Sequence, residues 1–208
     1  MLWQCPTDAV AALVLAHGAG AGMRHTSMQA IADAFERRGI ATLRFDFPFM
    51  AAGRNRVDSP PVAAQAIAEA YAAAAERTER PIWLGGHSFG GRMATHAVVD
   101  RALPAAGLIL CSFPLHMPGK PDTKRAQHLS AIRQPMLFLS GTRDDLAERE
   151  LLEPLVRSLP RAVLHWLDTA DHGYRVLKRS RARTDSVFDE MAEAARAFVD
   201  AHPARKAR

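Results

Sequence analysis

The 208-residue sequence is poor in cysteine, with only Cys5 and Cys111. Two thiols cannot build the disulfide framework that staples small secreted domains, so a reducing, cytoplasmic setting is expected. Long apolar runs are also missing. The run at residues 10–16 falls well short of the roughly 20 residues a membrane span requires. The opening MLWQCPTDAV has no Lys or Arg to serve as the start of a signal peptide. No membrane association is expected. Lysine is scarce too (Lys120, Lys124, Lys178 and Lys206), so the net charge of +5 is carried by arginine. The basic runs KRSRAR and RKAR read as a solvated loop and a chain terminus, not as a nucleic-acid-binding face. No repeat, low-complexity stretch or break in composition marks a second domain. One domain over residues 1–202 is expected, with a disordered basic tail at 203–208.

What is present is a steady alternation. Apolar runs of strand length fall at residues 12–16, 41–45, 82–86, 107–113, 135–141 and 162–167. Segments of helical period lie between them, at 28–38, 60–77, 91–102, 124–132 and 148–158, and a last one closes the chain at 186–201. Gly39 stops the first helix, and Ser59 with Pro60 and Pro61 opens the second. Strands apolar on both faces and separated by helices predict an α/β fold: one doubly wound, mostly parallel sheet of six strands in the order 2-1-3-4-5-6.

Two glycine-rich turns follow strands. The first, His17-Gly18-Ala19-Gly20-Ala21-Gly22, resembles a dinucleotide-binding turn, and Asp46 ends the next strand where a ribose-binding acid would sit. The spacing fails, because Met23 stands where that fingerprint needs Gly or Ala. The second turn, GGHSFGGR at residues 85–92, carries a stronger signal. It contains Gly86-His87-Ser88-Phe89-Gly90, the G-x-S-x-G pattern of a serine raised on a strand-to-helix turn. So tight a turn requires small residues two positions either side of the serine. It points the Ser88 hydroxyl at a helix N-terminus, where N–H groups favour developing negative charge.

A serine at its ordinary pKa needs a base, and the base needs an orienting acid. After the fifth strand comes Ser140-Gly141-Thr142-Arg143-Asp144-Asp145; after the sixth comes Asp168-Thr169-Ala170-Asp171-His172. Both stretches lie past the C-terminal ends of strands, where open α/β sheets bind ligands. Asp144 is the expected acid and His172 the expected base, with Asp145 as the alternative acid. The switch point between the first and third strands brings the HGAGAG turn to the same crevice. The turn's glycines then serve an oxyanion through the N–H groups of Ala19 and Phe89, not a phosphate. No His and carboxylate cluster has metal-ligand spacing, and neither a metal nor another cofactor is expected.

Four pieces in order, LVLAHGAG, RFDFP, GGHSFGGR and LFLSGTRDD…ADHGY, resemble the α/β-hydrolase superfamily over nearly the whole chain. With SFPLHMPGKPDTKRAQHLSAIRQP between the fourth and fifth strands, the sequence is similar to a small branch of that superfamily. The branch holds compact bacterial hydrolases, testis-expressed α/β-hydrolase-like proteins and a chromatin-complex subunit. The resemblance implies the triad Ser88, Asp144 and His172 acting on a small ester or thioester. MLWQCPTDAV is too short for the two antiparallel strands that open the common core. The exposed sheet edge that results leaves a homodimer open. The segment before the fifth strand has no room for a helical lid. In the same branch a turn like GRNR follows the second strand, which makes Arg54 a candidate for a substrate carboxylate, against a solvated loop arginine. Met23 and Met50 are candidates for an acyl pocket, against plain packing. An interaction module on a hydrolase scaffold and an acyltransferase using the same triad remain alternatives.

Overall fold

The computed structural model describes residues 1–203. From residue 204 on, the expected basic tail lies outside the described residues. In chain order the elements are β1 (Leu2–Gln4), β2 (Ala11–Ala16), α1 (Thr26–Glu36), β3 (Ile40–Phe45), α2 (Pro48–Ala51) and α3 (Pro60–Ala75). They continue with β4 (Ile82–His87), α4 (Phe89–Arg101), β5 (Leu108–Cys111), a 3-10 segment (Lys124–Ala131), β6 (Met136–Gly141), α5 (Arg149–Ser158), β7 (Ala162–Leu167) and α6 (Val187–Ala201).

The strands form one seven-stranded sheet in the order β1-β3-β2-β4-β5-β6-β7, parallel except for β1. The expected order of the six parallel strands is therefore present, but the count of six is corrected to seven. The opening segment does hold an antiparallel strand, Leu2–Gln4, paired with Thr42–Arg44. Three residues are too few to show a period of two, so the alternation test could not see them. The Gln4 side chain holds this short strand in place. Its amide donates to Asp33 (2.9 Å) and Glu36 (2.8 Å) on α1, and its oxygen accepts from the buried Arg44 on β3 (3.2 Å).

Successive side chains of each inner strand enter opposite cores, as the pleat requires. On β2, Ala12, Val14 and Ala16 join the core beneath α3 and α4, while Ala11, Leu13 and Leu15 join the core beneath α1 and α6. Both faces are covered, which is why these strands read as unbroken apolar runs. Two further corrections concern loops. The stretch between the strand expected at 41–45 and the helix expected at 60–77, where no element is expected, begins with a helical turn, α2, started by Pro48. The strand expected over 107–113 is β5 and stops at Cys111, because Ser112 takes φ 50°. The chain leaves β2 through α1 on one face of the sheet and the adjacent β4 through α4 on the other, which opens a crevice above the paired Ala16 and Gly86.

Candidate active site

Ser88 stands between β4 and α4 with φ 52° and ψ −115°, a region that L residues avoid. The neighbouring glycines explain how the turn closes. A Cβ on Gly86 would lie 2.1 Å from the Ala16 carbonyl oxygen, and one on Gly90 would lie 2.4 Å from the same atom. Both contacts are far inside van der Waals range, so only glycine lets α4 start this close to β2. The Ser88 N–H donates to the Cys111 carbonyl (2.8 Å), and the Arg92 N–H donates to the Ser88 carbonyl (3.1 Å), which fixes both ends of the turn.

Three sequence candidates meet here. The Ser88 Oγ lies 2.8 Å from His172 Nε2. His172 Nδ1 lies 2.8 and 2.9 Å from the two carboxylate oxygens of Asp144. Because a carboxylate only accepts, Nδ1 carries the proton, and Nε2 is left to accept from the serine hydroxyl. The Asp144 carboxylate is fully buried and also accepts from the Leu146 N–H (2.9 Å). Asp145 is exposed and does not reach His172. Neither aspartate caps α5, whose N-cap is Glu148. The chain of contacts can move a proton from a hydroxyl to an imidazole whose positive charge a buried carboxylate then balances.

The HGAGAG turn is clamped beside Ser88. The buried His17 ring donates through Nδ1 to the Gly18 carbonyl (2.7 Å) and accepts at Nε2 from the Phe47 N–H (3.0 Å). Burial pushes its pKa down, which keeps it in this neutral tautomer. Asp46 ties the far end of the turn by accepting from the Met23 N–H (2.7 Å). Neither the Ala19 nor the Phe89 N–H donates a hydrogen bond among the described residues. His87 packs against His172: its Nε2 donates to the His172 carbonyl (2.9 Å), and loss of solvent brings its pKa down to about 4. Cys111 is buried, and its thiol is pushed up to about 12 by that burial.

A cavity of about 1060 Å³ lies over the site, lined by Ala19, Ser88, Arg143, Asp145, His172 and Arg175 among others. Arg54, Met23 and Met50 do not line it. The Arg54 guanidinium donates instead to the buried Asp58 carboxylate (2.8 Å), a partner that sequence reading missed. Residues of the segment between β5 and β6 do not line it either; Leu115, Ala126 and Leu129 pack into the core. No set of three or more His, Cys, Asp or Glu side chains able to hold a metal occurs among the described residues. No helix among them is long and apolar enough to cross a membrane.

The sheet order, the raised serine and the histidine on the last strand's loop define an α/β-hydrolase arrangement. The chain matches the alpha/beta hydrolase domain family over residues 9–200, and it belongs to that family. Its fold is similar to that of dienelactone hydrolase from Anabaena variabilis (TM-score 0.74, 16% identity, covering 97% of this chain and 90% of that one). It is also similar to Est1E from Butyrivibrio proteoclasticus, solved with ferulic acid bound (TM-score 0.71, 17% identity, 97% and 94%). A third similar structure is an α/β serine hydrolase without a lid from Xanthomonas campestris (TM-score 0.67, 18% identity, 99% and 89%).

Proposed function

We propose that this protein is a serine hydrolase that cleaves carboxylic ester or thioester bonds through an acyl-enzyme. The observation that carries the reading is His172, bridged between the Ser88 Oγ and the buried Asp144 carboxylate. Ser88 attacks the substrate carbonyl carbon, and its proton passes to His172 Nε2. The Ala19 and Phe89 N–H groups bind the oxyanion; loss of one such donor costs about 3 kcal/mol of barrier. His172 then protonates the departing alcohol or thiol. It next takes a proton from water, which attacks the acyl-enzyme carbonyl, and returns that proton to Ser88 Oγ as the acyl–Oγ bond breaks and the acid is freed. Every step draws on side chains and backbone of one domain over residues 1–202, with no cofactor. Within the family, we place the chain in the small lidless branch that SFPLHMPGK suggests, with an open site suited to small esters.

The test is labelling by a fluorophosphonate probe, which reacts only with an activated serine. Wild type should label, and Ser88→Ala and His172→Ala should not. A 4-nitrophenyl ester should be hydrolysed by wild type and not by Ser88→Ala. A folded wild type that neither labels nor turns over the ester would hand the lead to the interaction-module reading.

A further inference from the structure

Against Phe89, the residue after Ser88, lies a second cavity, of about 580 Å³, that the mechanism above does not use. Its walls include Phe89, Val57 and Val62, and it is lined by three arginines, Arg54, Arg56 and Arg92. The carboxylate that lines it, Asp58, is already committed: one oxygen accepts from Arg54 (2.8 Å) and the other from the Phe49 N–H (2.9 Å). Arg56 and Arg92 form no ion pair among the described residues. Arg92 is half-buried, and burial, followed by the nearby Arg125 charge, pushes its guanidinium below the usual arginine range. Arg125 donates to the His116 carbonyl (3.0 Å) and brings no carboxylate to offset it.

Arg92 is one helical turn beyond Ser88, with its N–H on the Ser88 carbonyl, so it shares the face of α4 that carries the serine. Helical side chains lean toward the N-terminus, which directs the long Arg92 side chain back toward the serine end of α4. One turn is about 5.4 Å of rise, a gap that a short acyl chain spans. Pro60 and Pro61 open α3 beside this cavity and have no N–H to offer, so the donors here are guanidinium groups, not a helix end. A half-buried cation such as Arg92 is costly without a counter-charge, and apolar walls strengthen its pull on an anion, while Arg56 is exposed at the rim.

We propose that this cavity receives an anionic end of the substrate, so that the ester or thioester cleaved at Ser88 carries a carboxylate or a phosphate-type group held by Arg92 and Arg56. The assignment rests on Ser88 being the nucleophile. Arg54, held by Asp58, shapes the wall and does not grip the ligand.

The experiment compares 4-nitrophenyl pentanoate with two esters of similar reach, mono(4-nitrophenyl) glutarate and 4-nitrophenyl 4-phosphonobutyrate, after subtraction of uncatalysed rates. Wild type should prefer an anionic ester by about tenfold or more in kcat/KM, mostly through KM, as a charge-assisted contact predicts. The preferred arm tells carboxylate from phosphate. Arg92→Gln and Arg56→Gln should each shrink the ratio, Arg92→Lys should keep part of it, and the remote Arg77→Gln should keep all of it. A wild type without preference, or a preference that survives both glutamine variants, overturns the proposal. If no ester is turned over, the nucleophile reading fails on its own, and calorimetry with glutarate and phosphonobutyrate decides the subsite. Binding weakened about tenfold by Arg92→Gln supports it, on the same charge-assisted scale; binding indifferent to that change refutes it.

Discussion

Asp144→Asn separates the proposed mechanism from a merely well-packed serine. The side chain is fully buried, so asparagine must occupy the same volume among the same partners. Its amide oxygen can still accept from the Leu146 N–H now 2.9 Å from Asp144 Oδ1. Its NH2 then takes the Oδ2 position, 2.9 Å from His172 Nδ1, where a donor favours the tautomer with no proton on Nδ1. The imidazole proton moves to Nε2, the atom now 2.8 Å from the Ser88 Oγ. There it donates to the hydroxyl and cannot take the hydroxyl's proton. Wrong-tautomer variants of such triads lose about 10⁴ in kcat, or about 5 kcal/mol of barrier. Stability should change little, because one charged hydrogen bond is exchanged for a neutral one. A loss of about 1 kcal/mol corresponds to about 3 °C in a chain of this size. The assay is the second-order rate of fluorophosphonate labelling, with thermal unfolding measured beside it. The exposed Asp145→Asn variant is the control and should stay within about threefold of wild type, as surface substitutions do. Labelling of Asp144→Asn within tenfold of wild type, in a folded protein, would refute the tautomer reasoning. A slow Asp145→Asn paired with a fast Asp144→Asn would move the acid role to Asp145.

Two other outcomes follow from the same geometry. Gly90→Ala places a Cβ 2.4 Å from the Ala16 oxygen and 2.6 Å from the His17 oxygen, which pushes α4 off the HGAGAG turn. It should cost about 2–3 kcal/mol of stability, read by urea unfolding, and slow probe labelling by more than tenfold; wild-type values for both would refute the close approach. Stability should also fall on acidification. Loss of solvent first brings both His87 and His128 down to about 4, while unfolded histidine titrates near 6.5. Between those values the unfolded chain takes protons that the folded rings refuse, so stability drops as pH falls through the window. Each ring contributes up to about 3 kcal/mol, reduced by its remaining solvent contact. Denaturation at pH 7 and pH 4.5 should show the drop, and His128→Gln, able to keep the bond to Thr95, should flatten part of it. An unchanged slope in that variant would refute the assignment.

Legibility in the sequence tracked how local each cause was. The inner strands could be read because burial on both faces forces an apolar residue at every position, and β2 and β4 are buried almost throughout. The serine turn could be read because its strain is local: Ser88 takes φ 52° and Gly86 takes φ 150°, within the turn itself. His172 and Asp144 could be read from chain order and strand ends, but the choice between Asp144 and Asp145 could not. Adjacent residues at a strand end point in different directions, and only the fold decides that Asp144 turns inward. What stayed hidden depended on partners distant in sequence. The three-residue β1 exists because Gln4 reaches Asp33, Glu36 and Arg44, contacts no window of neighbouring residues contains. Arg54 was the visible arginine, since it sits in a loop beside the site, yet Asp58 neutralises it. Arg92 looked like an ordinary helix residue, and its lack of a counter-charge is a property of the cavity alone. Motif reading therefore finds the atoms proposed to break the bond more readily than those proposed to choose the substrate. The former are held by short-range strain, which the sequence must encode in place. The latter are defined by which charges remain unpaired after the chain has folded.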